Sequence, residues 1–220
     1  MNNEAIQLRK TVKLKDKEKL LPEDILANKN LEFLEIIARG LTKIDDRLGE
    51  LKNLKYLSIT SKNIEFIPEI IFKLENLEIL KFKNGMIKNL PETEPLCTRL
   101  KILQINNQLL EKIPVWLEKL TSLETIDFAG NKLTALPPEM EKLKKLKRLN
   151  LDRNEFKDMP EVLTSFIRPK PTDKRQKTGF SKIFQSGFKQ ISLLHCSAYH
   201  ITITNHYFKK VRYAHKQLYL

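Results

Sequence analysis

The residues best suited to chemistry crowd one end of the chain. His195, Cys196, His200, His206 and His215 are five of the six His and Cys residues present. Imidazoles and thiolates bind zinc, and a cysteine next to a histidine suggests a thiol nucleophile. The spacing fits neither. Only one cysteine lies near the histidines, so no closed four-ligand pattern forms. Side chains of adjacent residues in an extended chain point apart, and no third group is placed to orient His195. No GxxxxGK[ST] loop is present to cradle a nucleotide. Asp127 and Asp152 sit on a strand pattern that implies no pocket. The sequence therefore predicts no catalytic residues, no metal, no cofactor and no small-molecule substrate.

What organises the chain is a period. In LETIDFAGNKLTALP, residues 123–137, the apolar residues Leu123, Ile126, Phe128, Leu133 and Leu136 suit neither a helix nor a continuous strand. With Leu123 as position 1, apolar residues fall at 1, 4, 6, 11 and 14, and proline at 15. The pattern starts at 31, 54, 77, 100, 123 and 146, every 23 residues without a slip. Only the copy at 31 lacks the proline, with Asp45 in its place. Positions 4 and 6 face one side of a short strand, and 5 and 7 the other. One copy alone cannot shelter its apolar side, but stacked copies can, with strands about 4.8 Å apart. Apolar residues at 18 and 21 (Leu48 and Leu51, Ile71 and Leu74, Leu117 and Leu120, Met140 and Leu143, Leu163 and Phe166) are expected to close the core from the far side. Proline at 15 fixes φ where that return segment begins and no ladder N–H is needed.

This LxxLxLxx(N)xLxxLP spacing resembles the leucine-rich repeat family, in the short 23-residue intracellular type of Ras-suppressor-like scaffolds and bacterial repeat proteins. The resemblance covers about residues 8–168. It implies an α/β solenoid, a horseshoe with a concave parallel β-sheet and short helical, 3-10 or extended convex segments.

The departures from the pattern carry expectations of their own. At position 9 the chain leaves the strand, and an Asn there can bond buried turn amides. Asn131 and Asn154 keep it; Arg39, Lys62, Gly85 and Gln108 replace it, so the first four turns are expected to be looser. The copy at 77 has Glu94 at position 18. Leu96 is expected to swing inward instead, with an irregularity at Pro95 and Cys97 buried. Residues 1–30 read as a degenerate first repeat and end cap. Val12 and Leu14 fall one residue out of phase, which a turn one residue shorter would correct.

The six repeats fill 31–168, and the character of the chain then changes. Residues 169–220 hold ten Lys or Arg against one acid, so they supply +9 of the net +13. Three readings of this basic tail stay open: an aberrant, frame-shifted or disordered end, a cap over the last repeat, or a functional basic element. For the last, Phe180, Ile183, Phe184, Phe188 and Ile191 share one helical face among lysines, which suits an anionic membrane or nucleic acid contacted through 174–216. YHITITNHYF, residues 199–208, reads alternatively as strand. No apolar signal core or membrane-length run occurs, which points to the cytoplasm and leaves signal-free secretion open.

On the strands, outward positions 3, 5, 7 and 8 would line the concave face. Position 3 reads Phe33, Tyr56, Ile79, Ile102, Thr125, Arg148; position 5 reads Glu35, Ser58, Lys81, Gln104, Asp127, Asn150. Four large apolar or aromatic residues in one column, flanked by mixed charge, suit an apolar anchor with a polar rim. Another protein is the expected partner. Phe33, Glu35, Tyr56, Ser58, Ile79, Lys81, Ile102, Gln104, Asp127, Arg148 and Asn150 are its candidate contacts.

Overall fold

A computed structural model describes residues 8–158, 160–167, 194–196 and 199–202. Each copy lays down one short strand: β1 (Arg9–Leu14), β2 (Phe33–Ala38), β3 (Tyr56–Thr60), β4 (Ile79–Lys83), β5 (Ile102–Asn106), β6 (Thr125–Asp127) and β7 (Arg148–Asn150). They pair in chain order, all parallel. Parallel neighbours need a crossover. The return segments supply it through α1 (Glu23–Ala27), α2 (Glu69–Phe72), α3 (Leu163–Ile167) and 3-10 turns at Asp46–Glu50, Val115–Lys119 and Pro138–Lys142. Val12 pairs with Ile36 and Leu14 with Ala38, so the first strand recovers its phase one residue early. Beyond the repeats, β9 (Tyr199–Thr202) pairs in parallel with β7, and β8 (Leu194–Cys196) pairs antiparallel with β9. The apolar face expected at 180–191, His206 and His215 lie outside the described residues. No helix among the described residues is long and apolar enough to cross a membrane.

The 23-residue pattern becomes a continuous core. Leu34, Leu57, Leu80, Leu103 and Ile126 at position 4 are wholly covered, as are Leu48, Ile71, Leu117, Met140 and Leu163 at position 18. Pro68, Pro114 and Pro137 start their return segments with φ of −60°, −70° and −66°. Asp45 takes the same conformation at φ −73° without a ring, and its carboxylate accepts the Arg47 N–H, capping the turn. The Arg47 guanidinium then bonds both Asp45 and Glu23 of the previous return segment. Its hydrogen bond to Asp45 holds that carboxyl below its ordinary value.

The copy at 77 departs from expectation. Leu96 does not swing in: it is 51% exposed, and Pro95 is buried in its stead. Without a helical turn there, the Leu96 and Cys97 N–H groups both donate to the Phe72 carbonyl of the preceding copy. Two rings from the flanking copies meet beside this segment. Trp116 meets Phe72 edge to face at 5.1 Å, and its indole N–H donates to the Pro91 carbonyl at 2.7 Å. Glu94 stays outside, paired with Lys119. Cys97 is fully buried, and burial pushes its thiol up to about 12.

Position 9 ties the turns together. Asn131 Oδ1 accepts the Leu110 N–H at 3.0 Å, and its Nδ2 donates to the Ile105 and Phe128 carbonyls at 2.7 and 2.9 Å. Asn154 repeats this one copy on, with Leu133, Phe128 and Leu151. The earlier turns are not left open. Gln108 is buried, and its Oε1 accepts the Ile87 N–H at 3.2 Å. Its longer side chain fits because Gly85 lies beside it; a Cβ there would stand 2.5 Å from that oxygen. Near the start, Ser61 donates to the Leu41 carbonyl and Asn63 to the Arg39 carbonyl. Substitutes with different reach therefore bond the turns of the copies at 31 and 77, while at the copy at 54 the Met86 backbone N–H donates to the Ile64 carbonyl.

Replacing Asn131 with Ala takes the side-chain partner from the Leu110 N–H and the Ile105 carbonyl, while the Phe128 carbonyl keeps Asn154. It should destabilise the chain by about 2–4 kcal/mol, whereas Lys132→Ala at the exposed neighbour should stay within about 0.5 kcal/mol. Urea unfolding followed by circular dichroism reads both. Cys97 yields a second expectation. Below about pH 8.5 its thiol is protonated folded and unfolded, so it costs nothing. Above that, only the unfolded chain gains by ionising, so stability falls as pH rises towards the folded value. At about pH 8.5 iodoacetamide should spare Cys97 in the native chain and modify it in urea, read by peptide mass spectrometry; equal modification would contradict its burial.

Candidate partner-binding face

Because the strands are parallel and in phase, equal positions become straight columns across the sheet. Phe33, Tyr56, Ile79, Ile102, Thr125 and Arg148 are successive register partners, and so are Glu35, Ser58, Lys81, Gln104, Asp127 and Asn150. All eleven candidate residues therefore share one side of the sheet.

Their surroundings differ along it. Phe33 and Tyr56 stack with ring centroids 4.0 Å apart and planes within 11°. The Arg9 guanidinium lies 4.4 Å from the centre of the Phe33 ring, and the Lys81 ammonium 5.4 Å from that of Tyr56. The result is a row of cation, ring, ring, cation, in which the negative ring faces meet the charges. Ile79 and Ile102 continue the column half-buried. Ser58 departs from the reading of an open contact residue. It has no exposed surface, and its Oγ has no hydrogen-bond partner among the described residues. Its register neighbours Glu35 and Lys81 are both longer and half-exposed.

Towards the C-terminal half the face hollows. Lys81, Ile102, Gln104, Asp127, Arg148 and Asn150 line a depression of about 330 Å³ together with Thr125, Ile126 and Leu149. Asp127 is already engaged: Oδ2 accepts from Asn106 Nδ2 at 3.0 Å and Oδ1 from the Ala129 N–H at 3.1 Å. Phe33, Glu35, Tyr56 and Ile79 lie apart from this hollow, so the candidate set splits into an aromatic end and a polar end.

Two features of the face escaped the sequence reading. At position 8 the backbone turns left-handed in four successive copies, at Asn84, Asn107, Gly130 and Arg153, with φ of 60°, 51°, 67° and 55°. Asn tolerates that region and Gly is free in it, but Arg is not favoured there. Arg153 reaches across Gly130 to Asn107 Oδ1 at 3.3 Å, and Asn107 donates to Asn84 Oδ1 at 3.2 Å. A Cβ on Gly130 would stand 2.4 Å from Asn107 Oδ1, so the glycine clears the path. At position 2, one residue before each strand, charge alternates from copy to copy: Glu32, Lys55, Glu78, Lys101, Glu124, Lys147. Each lysine bonds the glutamate 23 residues earlier at 2.8 Å. The Glu124 carboxyl is held below its ordinary value by its hydrogen bond to Lys147 and by that charge. The alternation was visible in the 23-residue alignment of the sequence. The left-handed turns had only their Asn and Gly residues as a signal.

A family model described as Leucine-rich repeat region matches residues 43–168, more than half of the chain. No curated relative matches it. Among solved structures, the chain is similar to the plant peptide hormone receptor RGFR1 in complex with RGF2, at 31% identity and a TM-score of 0.52 over 62% of this chain and 23% of that one. It is similar to the Drosophila Toll–Spatzle complex at 26% identity and a TM-score of 0.54, over 62% of this chain and 19% of that one. The functional domain of InlJ from Listeria monocytogenes shares the fold at 24% identity and a TM-score of 0.50, over 59% of this chain and 27% of that one. The chain thus spans between 19% and 27% of the length of these structures. With six in-register copies of one 23-residue strand-and-return unit and this match, the chain belongs to the leucine-rich repeat family.

Proposed function

We propose that the chain is a non-enzymatic interaction module that holds a protein partner against the concave face of its sheet. Protein interaction is the general role of its family, and two of the similar structures are complexes with protein partners, RGF2 and Spatzle. The observation that carries the choice of face is the position 3 column. Phe33, Tyr56, Ile79 and Ile102 stand side by side and half-buried as an unbroken apolar run, whereas the neighbouring outward columns are mostly polar or charged, with Ile37 and Ala129 as isolated apolar members. Ordered rings bring contact area at little further entropic cost on binding, because the stack already fixes them. The mechanism is display: a stiff sheet offers side chains from successive copies in fixed register.

A second reading assigns binding to the basic tail, with an anionic membrane or a nucleic acid as the partner. It rests on the ten Lys or Arg against one acid in 169–220. One experiment separates the two. Full-length wild type and Phe33→Asp/Tyr56→Asp chains are used for affinity capture, with captured proteins identified by mass spectrometry. The double substitution puts two carboxylates into an apolar column and should lower capture about tenfold or more, with the circular dichroism spectrum unchanged. Undiminished capture removes this face from the interaction. Capture that survives the double substitution but vanishes when Lys174, Arg175, Lys177 and Lys182 become Gln assigns binding to the tail.

A further inference from the structure

Charge on this face is distributed differently from charge on its borders. Along the position 2 rim every lysine is neutralised by the glutamate of the copy before it. On β4, Lys81 and Lys83 point to the same face, two residues apart, about 7 Å by strand geometry. Neither makes an ion pair among the described residues. The register explains why. Lys81 is flanked by Ser58 and Gln104, and Lys83 by Thr60 and Asn106, so no acid stands on either neighbouring strand. The nearest acids in the columns are Glu35 and Asp127, two strands away on either side, roughly 10 Å at ordinary strand spacing. Asp127 is also committed to Asn106 and the Ala129 N–H. Two like charges therefore share the centre of the sheet with no local counter-charge. Both side chains are half-buried, which weakens screening by salt relative to a fully exposed lysine.

The apolar column runs directly beside them. Lys81 sits over the Tyr56 ring on one side and lines the depression with Ile102 on the other. We infer that the face takes an acidic protein segment, one whose carboxylates meet Lys81 and Lys83 while a neighbouring apolar side chain rests on Tyr56, Ile79 and Ile102. This rests on the concave-face reading and adds the chemistry of the partner. Nucleic acid fits less well, because a run of phosphates would meet Glu35 and Asp127 on both flanks of the lysine pair. The chain's own tail is excluded as occupant by its charge, +9 against a positive centre.

The test uses fluorescein-labelled peptides of about twelve residues in which Glu alternates with Leu and Phe, with Gln and Lys counterparts, by anisotropy against the full-length chain. Wild type should bind the Glu peptide about tenfold tighter than the Gln peptide, and a rise from about 50 to 300 mM salt should narrow the gap. Lys81→Gln/Lys83→Gln should reduce that preference at least about fivefold. Lys55→Gln/Lys147→Gln, on the neutralised rim, should change it less than about twofold. A Glu preference that persists in Lys81→Gln/Lys83→Gln overturns the inference, because the charge recognised then lies elsewhere, as in 169–220. Equal dependence of a thymidine oligonucleotide on the lysine pair overturns it in favour of nucleic acid. If the Gln or Lys peptide binds best and Phe33→Asp/Tyr56→Asp abolishes it, the acidic partner falls and the concave face stands. If no peptide depends on either pair, both fall.

Discussion

The fold depends on one recurring obligation. Turns that end a strand bury backbone N–H and C=O groups outside the sheet ladder, and at the copies beginning at 77, 100 and 123 a polar side chain from the next copy bonds them. Asn131 shows the arrangement, with one acceptor and two donor contacts spanning two copies. An unpaired buried amide costs on the order of 1–3 kcal/mol, so a stack of copies multiplies either the benefit or the loss. That is why one copy cannot be judged alone. The group that satisfies a turn belongs to its neighbour, and the 23-residue period is the distance between them.

The same geometry produces the face. A core that is periodic at positions 4 and 6 forces positions 3, 5 and 7 outward, and register then turns any residue choice there into a column. The core tolerates little variation, because Leu34, Leu57, Leu80 and Leu103 occupy one wholly covered layer. The outward columns carry no such restriction, and this chain uses the freedom unevenly. Rings and their flanking cations stand at one end of the sheet. Amides, Asp127 and the left-handed turns bridged from Arg153 to Asn84 stand at the other.

Periodicity made the solenoid, the strand register and the shared side of the eleven outward residues legible, because each depends only on residue type at a fixed offset. What could not be read depends on two copies at once. Gln108 looked like a lost Asn; it works because Gly85, one copy earlier, leaves space for one more methylene. Leu96 looked like the natural filler for Glu94's position, but a chain with no helical turn there buries Pro95 instead, beside Trp116 and Phe72, which meet from the two flanking copies. Ser58 looked open because its position is outward. Whether such a side chain is reached by solvent depends on the size of its register neighbours, and Glu35 and Lys81 both exceed it.

The ends of the sheet obey a different logic from its middle. Interior strands have a partner on both sides, so their edges need no protection, whereas a terminal strand presents unpaired N–H and C=O groups. At the first strand, Thr11 and Lys13 stay exposed, and Lys10 turns out to Asp24. At β7 the edge is met by β9, whose register sets His200 opposite Arg148 and Thr202 opposite Asn150, the positions a further copy would fill. Yet β9 lies 52 residues after Arg148 rather than 23, so it reaches that edge without the repeat's sequence. Edge pairing asks only for an extended backbone, while core stacking asks for leucines at fixed offsets. A segment without the 23-residue period can therefore still pair with β7, with Ile201 opposite Leu149, and carry β8 on its own outer edge.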